Sequence, residues 1–182
     1  LETDKLSDLV DKVMLVSKMT DLEIKSEQEV FDLNVLVGEI LGELQPRITD
    51  KKIEIVFENS QDKLEVVSDL KSFKTIVFNL IDNAIKYNQV ANPRIEITSK
   101  RNEKYTELAV VDNGQPIPSD FKDKIFEKFY RVPQDGQIHN VKGHGLGLYI
   151  VENLAKSLGC IIEYVALTNG NRFIIKNIQT NA

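Results

Sequence analysis

Apolar residues repeat every three or four positions in several stretches of the chain, which is the spacing of an amphipathic helix. One such stretch starts near Asp69, a residue type that caps helices, and ends near Tyr87. Its apolar face would contain Phe73, Ile76, Val77, Leu80, Ile81 and Ala84. The same spacing predicts further helices over residues 1–22, from Asp32 to about Pro46, 121–131 and 146–158.

Between these helices, apolar and polar residues alternate, which is the pattern of half-buried strands. The predicted strands cover residues 29–31, 53–58, 64–67, 94–101, 104–112, 160–167 and 171–178. Short polar turns near 102–103 and 168–171 predict that the last four strands form two hairpins. We expect an α+β fold, a two-layer α/β sandwich with helices on one face of a mixed sheet of about five strands.

The composition fits one full-sized domain with a short appendage, since 42% of the 182 residues are hydrophobic. The net charge is -5 and the sequence has no long Lys/Arg block, so nucleic acid is not an expected partner. The single cysteine, Cys160, excludes a disulfide framework and fits a reducing compartment. The chain begins with Leu1 inside a helical pattern, so we expect a fragment of a longer protein.

The predicted helix that ends near Tyr87 has an unusual polar edge. Asn79, Asn83 and Lys86 fall within about 60° of one another on a helical wheel. Amide oxygens suit Mg²⁺ that keeps its waters and binds phosphate, and a nearby ammonium group would offset phosphate charge. A solvated helix edge with ordinary side-chain pairs is the simpler alternative for this cluster taken alone.

The stretch DNGQPI (112–117) follows directly after a predicted apolar strand. The Asp112 carboxylate offers only acceptors, so it could bind an exocyclic amine such as that of adenine. Gly114 would let the backbone approach a flat ring closely. A plain Asp-Asn-Gly turn is the alternative interpretation.

Two further stretches flank a polar loop at 132–145 that is predicted to be mobile. In KGHGLGL (142–148), alternating glycines open a helix, whose free N–H groups and positive dipole end favour phosphate. The alternative for this stretch is a flexible linker. In FEKFYR (126–131), Arg131 lies at the start of the loop, where it could meet phosphate, although surface arginines are common.

In this order, the four stretches resemble the sequence boxes of the ATP-binding catalytic domain of bacterial sensor histidine kinases. That domain shares its Bergerat-type fold with gyrase, the heat-shock chaperone ATPases and the mismatch-repair ATPases. NLIDNAIKYN (79–88) resembles the asparagine box, DNGQPI the first glycine box, FEKFYR the phenylalanine box and GHGLGL the second glycine box. The resemblance covers about residues 30 to 178.

This resemblance implies a site for ATP and Mg²⁺ and assigns a role to each matching residue. Asn83 would be the protein ligand to Mg²⁺, and Asn79, Lys86 and Arg131 would act at the phosphates as catalytic residues. Asp112 would accept a hydrogen bond from the adenine amino group. The other implied nucleotide contacts are Tyr87, Gly114, Ile117, Tyr130, Gly143, Gly145, Leu146, Gly147 and Leu148. Residues 130–144 would form a lid over the nucleotide.

Asn79 bears on whether the implied reaction transfers the γ-phosphate of ATP to another group or hydrolyses ATP. Hydrolytic relatives have a glutamate at this position, which activates water, whereas an amide cannot accept a proton at neutral pH. Asp82 lies about 60° to the other side of Asn79 on the helical wheel, so it is a poor substitute. The resemblance therefore implies a domain that positions ATP and delivers its γ-phosphate to an external nucleophile.

In the family, that nucleophile is a histidine on the first helix of a dimerising hairpin. His139 and His144 both lie in the implied lid, so the acceptor would lie upstream of this fragment. We expect residues 1–28 to be the second hairpin helix with a connector and 29–182 to be the catalytic domain. The implied partners are ATP, a response-regulator receiver domain and, through the hairpin, a second copy of the full-length protein. The implied location is the cytoplasm, for a free protein or for the cytoplasmic part of a membrane-bound sensor.

Two other functions stay open at this point. A degenerate nucleotide sensor or scaffold without phosphotransfer would explain Pro116, which stands where the first glycine box usually has a second glycine. His144 is also bulkier than the small residue usual between the two glycines. An anti-sigma-type serine kinase has the same fold, but the predicted helix over 1–22 disfavours it.

Overall fold

The computed structural model describes residues 10, 13–14, 16–17, 27–58, 63–101, 104–133 and 143–181. The five described residues before 27 are all helical, and one of them, Val16, is buried. The rest of the helix predicted over 1–22, the turn predicted at 59–62 and residues 134–142 of the predicted loop lie outside the described residues. Within the described ranges, no helix is long and apolar enough to cross a lipid bilayer.

The described residues after 27 include three α-helices, and the two long ones begin at the predicted aspartate caps. They are α1 (Leu33–Asp50), α2 (Leu70–Tyr87) and α3 (Gly147–Ser157). Asp32 Oδ1 accepts a hydrogen bond from the Asn34 backbone N–H at 2.9 Å. Asp69 Oδ1 accepts one from the Ser72 N–H at 2.8 Å. Each carboxylate therefore satisfies a backbone donor that has no partner within its helix.

Helix α1 continues past Pro46, a residue that the sequence pattern placed near the helix end. Proline lacks the N–H that would bond to the carbonyl of Gly42, four residues earlier. Gly42 is exposed, so water can satisfy that carbonyl. The helix therefore keeps one further turn, to Asp50, at little cost in buried polar groups.

Among the described residues, seven strands form two sheets. They are β1 (Gln28–Asp32), β2 (Glu54–Phe57), β3 (Glu65–Asp69), β4 (Arg94–Arg101), β5 (Tyr105–Asp112), β6 (Ile161–Leu167) and β7 (Gly170–Gln179). The main sheet has the order β2-β4-β5-β7-β6, with β2 and β4 parallel and the other pairs antiparallel. Strands β1 and β3 pair separately as a small antiparallel sheet. The mixed five-stranded sheet and both predicted hairpins are confirmed.

Helix α2 is the central helix of the packed layer, and it contacts α1, α3 and β5. Its predicted apolar face is confirmed, because Phe73, Ile76, Val77 and Ile81 are completely buried. Each such side chain contributes about 1.5–3 kcal/mol through the removal of apolar surface from water. This packing fixes the rotation of α2, and therefore the direction in which its polar edge points.

The C-terminal end of α2 is held by a lysine just beyond α1. Lys51 Nζ donates hydrogen bonds to the backbone oxygens of Ile85 at 2.7 Å and Lys86 at 2.8 Å. Burial lowers the pKa of Lys51, and the nearby Asp82 carboxylate opposes that shift. The ammonium group also interacts favourably with the negative end of the helix dipole.

The helix predicted over 121–131 is wrong. The structure has only two short 3₁₀ turns there, Ser119–Phe121 and Lys124–Phe126, followed by irregular chain. The Phe129 N–H donates to the Gly145 oxygen at 2.9 Å instead of to a carbonyl of its own segment, and Phe129 has a φ of 65°. A long-range backbone contact therefore replaces the helix that local spacing favoured.

Strand β7 starts where it touches the end of β5. Gly170 has a φ of 143°, and a Cβ atom there would lie 1.9 Å from the backbone oxygen of Asp112. Only glycine fits both the backbone conformation and this close approach. The contact brings the first residues of β7 against the carboxyl end of β5, opposite Asp112.

Gly170→Ala should destabilise the fold strongly. The added methyl group would clash with the Asp112 backbone, so we expect the free energy of unfolding to fall by about 2–4 kcal/mol. Urea denaturation followed by circular dichroism measures the change.

Gly38→Ala is the matched control, since Gly38 lies inside α1 and a Cβ atom there would have no other group within 4 Å. This variant should be more stable than the wild type by about 0.5–1 kcal/mol. Equal stabilities of the two variants would contradict the close approach at Gly170.

Candidate functional site

The polar residues singled out in the sequence gather along one edge of α2. One cluster lies around Asn79 and Asn83, and a second lies at the C-cap of the helix, Asn88, beside Asp112. At 1.5 Å of rise per residue, Asn79 and Asn88 are separated by about 14 Å along the helix axis. The site is therefore elongated, with a different chemistry at each end.

The two asparagines of α2 face the first residue of α3. Asn79 Nδ2 donates to the Thr75 backbone oxygen at 2.8 Å, which fixes the orientation of the amide. A Cβ atom on Gly147 would lie 3.2 Å from Asn79 Oδ1 and 3.6 Å from both polar atoms of the Asn83 amide. Glycine at 147 therefore lets the backbone at the start of α3 approach both amides closely.

Helix α3 begins without a side-chain cap. Its N-cap residue, Leu146, makes no side-chain hydrogen bond to the first turn, and the Leu146 side chain is buried in the core. The first turn of α3 lies near the Asn79 end of α2. Because Leu146 cannot cap the helix, the N–H groups of this turn and the positive end of the helix dipole are not neutralised by a carboxylate at the N-cap position. Leu148 packs against the core, so Leu146 and Leu148 anchor this turn.

Lys86 is half-buried and held by a carboxylate one turn earlier. Its Nζ lies 3.6 Å from Asp82 Oδ2, while Asp82 Oδ1 forms an ion pair with Arg47 of α1. Asp82 is thus engaged by two cations and is not placed to act as a base toward the Asn79 end. The ion pair ties the polar edge of α2 to α1.

The segment after residue 142 crosses the C-terminal turn of α2. A Cβ atom on Gly143 would lie 3.1 Å from Tyr87 Oη and 3.8 Å from Lys86 Nζ. Burial raises the pKa of Tyr87, and the nearby Arg131 guanidinium opposes that shift. The predicted residues Lys86, Tyr87, Arg131 and Gly143 therefore lie together beside the described ends of the predicted lid.

Gly145 holds these two ends of the loop against each other. Its φ is 68°, and a Cβ atom there would lie 2.6 Å from the Phe129 carbonyl carbon and 2.7 Å from the Tyr130 oxygen. The Tyr130 ring packs near the Phe121 ring, with centroids 6.3 Å apart. His144 is exposed. Residues 129–131 and 143–145 consequently form one compact unit next to α2.

At the other end of the site, Asp112 closes strand β5 with a buried carboxylate. Its Oδ1 accepts from the Gly114 N–H at 2.8 Å and from Asn171 Nδ2 at 3.0 Å. Its Oδ2 has no hydrogen-bond donor among the residues that the structure describes. Burial raises the pKa of Asp112, while its two hydrogen bonds act in the opposite direction. One oxygen is therefore fixed, and the other remains able to accept from a ligand.

Asn171 and Tyr164 were not identified from the sequence. The sequence pattern placed Asn171 where the predicted turn meets the predicted strand 171–178, with no role in the site, and in the structure it is buried opposite Asp112. Its Oδ1 accepts from the Ile117 N–H at 3.0 Å and from Tyr164 Oη at 2.9 Å. Only the strand register shows this, because β7 and β5 are far apart in the sequence.

Asn88 was also missed, although it ends the asparagine-rich stretch. Its Nδ2 donates to Asn113 Oδ1 at 2.9 Å and to the Arg94 oxygen at 3.3 Å. Its Oδ1 is buried without a partner among the described atoms, and a Gly114 Cβ would lie 3.5 Å from it. A buried acceptor in this state calls for a donor from water or a ligand at the Asp112 end.

These donor sets suit a nucleotide and a hard cation. Within the described ranges, no group of three or more His, Cys, Asp or Glu side chains could hold a metal ion. The Asn79 and Asn83 amides remain, which are neutral oxygen donors of the kind that Mg²⁺ uses beside phosphate and water. The Gly114 and Gly147 positions are close approaches that a side chain would fill.

Residues 68–180 match the family described as histidine kinase-, DNA gyrase B-, and HSP90-like ATPases. The matched region contains α2, α3, the main sheet from β4 onward and every site residue predicted from the sequence. The chain belongs to this family. An ATP-binding domain is thus established, and its relatives identify the class of ATPase.

Known relatives of this ATPase domain are sensor histidine kinases. The adaptive-response sensory kinase SasA of Nostoc sp. is 28% identical over 149 residues, which cover 82% of this chain and 36% of SasA. The catalytic domain of the histidine kinase ThkA superimposes with a TM-score of 0.74 at 31% identity, covering 85% of this chain and 99% of that domain. The chain is therefore an ATP-binding catalytic domain of the sensor histidine kinase type, and it spans about a third of the length of SasA.

Two larger structures are also similar. Full-length ShkA in complex with AMPPNP has a TM-score of 0.84 at 25% identity, covering 98% of this chain and 37% of ShkA. ThkA in complex with the response regulator protein TrrA has a TM-score of 0.76 at 28% identity, covering 98% of this chain and 49% of that chain.

Replacing Asp112 with asparagine should weaken ATP binding without lowering the stability of the fold. The folded chain holds a proton on Asp112 more tightly than the unfolded chain, so ionisation costs stability as the pH rises through the raised pKa. Asp112→Asn removes that cost and keeps an oxygen acceptor for Gly114 and Asn171. We expect this variant to be at least as stable as the wild type at pH 7, but to bind ATP at least about tenfold more weakly.

Denaturation between pH 4 and pH 8 and calorimetric titration with ATP measure the two effects. Asp120→Asn is the control, because Asp120 is exposed and should show neither change. Unchanged ATP affinity in Asp112→Asn would contradict the assignment of this carboxylate.

Proposed function

We propose that this chain binds Mg²⁺ and ATP along the edge of α2 and delivers the γ-phosphate to a histidine outside residues 1–182. The phosphoryl group would then pass to an aspartate of a response-regulator receiver domain. The observation that carries the proposal is that two different sets of polar groups lie at the two ends of one edge of α2. Amides and a helix start lie near Asn79, and an acceptor for an amine lies near Asn88, about 14 Å away.

The Asp112 end would hold adenine. The available Oδ2 of Asp112 can accept a hydrogen bond from the exocyclic amine, and Gly114 allows the ring to lie against the backbone. Ile117, partly buried against the core, supplies an apolar contact near the ring. The buried Asn88 oxygen would accept from a water molecule held beside the base.

The Asn79 end would hold the phosphates. Asn83 would ligate Mg²⁺, which offsets phosphate charge when bound. The first turn of α3 would add positive charge there. Lys86 and Arg131, nearer the C-terminal end of α2, would reach the phosphates from the lid side, with Gly143, Gly145 and Gly147 allowing close backbone approach. Tyr87 and Tyr130 would border the site beside the lid.

The residues near the Asn79 end favour transfer over hydrolysis. The amide of Asn79 cannot take a proton from water, and Asp82 is occupied by Arg47 and Lys86. Positioning and charge neutralisation then carry the reaction, as is general for phosphoryl transfer. A nucleophile that supplies its own lone pair, such as a neutral imidazole nitrogen, suits this arrangement.

The relatives also support a proposal for the wider assembly. ThkA is known in complex with a response regulator protein, which supports such a partner for this chain. We infer that residues 1–28 are the second helix of a dimerising hairpin with its connector, that 29–182 are the catalytic domain, and that the full-length protein forms homodimers in the cytoplasm. Sensor kinase relatives make an anti-sigma-type serine kinase the weaker alternative.

Binding of ATP should depend on Mg²⁺ and on Asn83. In calorimetric titrations with AMPPNP, we expect Asn83→Ala to lose at least about tenfold in affinity with Mg²⁺ present and much less without it. Asn153→Ala is the control, since Asn153 also lies on a helix, is not among the proposed site residues and donates to the Tyr149 oxygen at 2.8 Å. An equal loss in both variants, or no Mg²⁺ effect, would contradict the proposed metal ligand.

The chain alone should bind ATP without labelling itself. Its two histidines, His139 and His144, both belong to the proposed lid, so neither is expected to act as the acceptor. Incubation with ³²P-labelled ATP followed by gel electrophoresis measures incorporation. Stable label on the chain would show that an acceptor lies within these residues and would overturn this part of the proposal.

A further inference from the structure

The loop beside Asp112 contains a proline where the family usually has a glycine. Pro116 has no N–H to donate and cannot adopt the backbone conformations open to glycine. A loop with this substitution needs other contacts to keep it in a single position. The structure supplies them from two side chains that the sequence analysis did not single out.

Asn171 holds the loop on both sides of Pro116. Its Nδ2 donates to the Gln115 oxygen at 3.0 Å, and its Oδ1 accepts from the Ile117 N–H at 3.0 Å. The same Nδ2 donates to Asp112 Oδ1 at 3.0 Å. One buried amide therefore binds the residue before the proline, the residue after it and the Asp112 carboxylate.

Tyr164, on the neighbouring strand β6, completes the network. Its hydroxyl donates to Asn171 Oδ1 at 2.9 Å and lies 3.1 Å from the Ile117 nitrogen. Its ring packs against Phe173, with centroids 5.0 Å apart, and the residue is only 3% exposed. The hydroxyl is therefore fixed by the packing of the ring, and its bond to Oδ1 adds to the Gln115 and Ile117 backbone contacts that orient the Asn171 amide.

We propose that Tyr164 and Asn171 form a clamp that fixes Asp112 and the Pro116 loop and thereby sets the selectivity of the site for adenine over guanine. The inference rests on the proposed function, since it concerns the same site. Both residues are positioning residues, which act on the base through Asp112 and the loop.

The physical basis is the direction of one carboxylate oxygen. Adenine has an amine at C6, which can donate to Asp112 Oδ2, whereas guanine has a carbonyl there, which would meet the carboxylate with its own lone pairs. Sites built from fixed buried hydrogen-bonding groups reject a mismatched partner strongly. If the clamp is lost, Asp112 and the loop can rotate, and guanine no longer meets a fixed acceptor.

The test measures the ratio of the GTP dissociation constant to the ATP dissociation constant and compares it between the wild type and the variants. Both constants are measured with Mg²⁺ present, and weak GTP binding is measured by competition with ATP. Tyr164→Phe removes only the hydroxyl, and Asn171→Ser shortens the amide to a hydroxyl that cannot reach both sides of the loop. We expect the ratio to fall at least about fivefold in Tyr164→Phe and further in Asn171→Ser. Tyr105→Phe, at the opposite end of β5 from Asp112, should leave the ratio unchanged.

Each variant is first checked for folding by circular dichroism. Two clamp variants are used so that the test can still be made if one of them does not fold. Ratios equal to that of the wild type in a folded clamp variant would overturn the clamp while leaving ATP binding established. A wild-type chain that binds neither nucleotide would instead refute the proposed function. A loss of affinity for both nucleotides in equal proportion would show a purely structural role and would also overturn the proposal.

Discussion

The packing of α2 on the sheet is the constraint on which the rest of the site depends. Phe73, Ile76 and Ile81 are completely buried, so the helix cannot rotate without exposing them. A helix fixed in this way must present its remaining edge in one direction. That edge contains Asn79 and Asn83, and it lies close to the start of α3, where Gly147 has no side chain to fill the space. The site is thus a consequence of core packing as much as of polar residues.

The two ends of the proposed site have opposite electrostatic character. At the proposed phosphate end, neutral amides, a helix start and cations face the place where negative charge is expected, and the Asp82 carboxylate is neutralised by Arg47. At the proposed base end, a single carboxylate is buried without a cation among the described residues around it. Asp112 is stabilised instead by hydrogen bonds from Gly114 and Asn171, which leave one oxygen available.

Local signals in the sequence predicted most elements, but not the contacts between distant segments. The cap at Asp69 and the apolar face of α2 were correct, because both depend on residues within one helix. The helix predicted over 121–131 failed because the Phe129 backbone bonds to Gly145 instead. Asn171 was missed for the same reason, since only the β5–β7 register places it opposite Asp112. The residues proposed for the site lie in recognisable sequence motifs, whereas Asn171 and Tyr164, which contact Asp112 and its loop, have no such local signal.

The most direct test of a nucleotide lying lengthwise on α2 is a crystal structure of the chain with AMPPNP and Mn²⁺ in place of Mg²⁺. The anomalous signal of Mn²⁺ locates the metal independently of the density for the nucleotide. We predict the metal bonded to Asn83 Oδ1 and to phosphate oxygens, with the adenine amine at Asp112 Oδ2. A nucleotide in the opposite direction, or a metal away from Asn83, would contradict this arrangement.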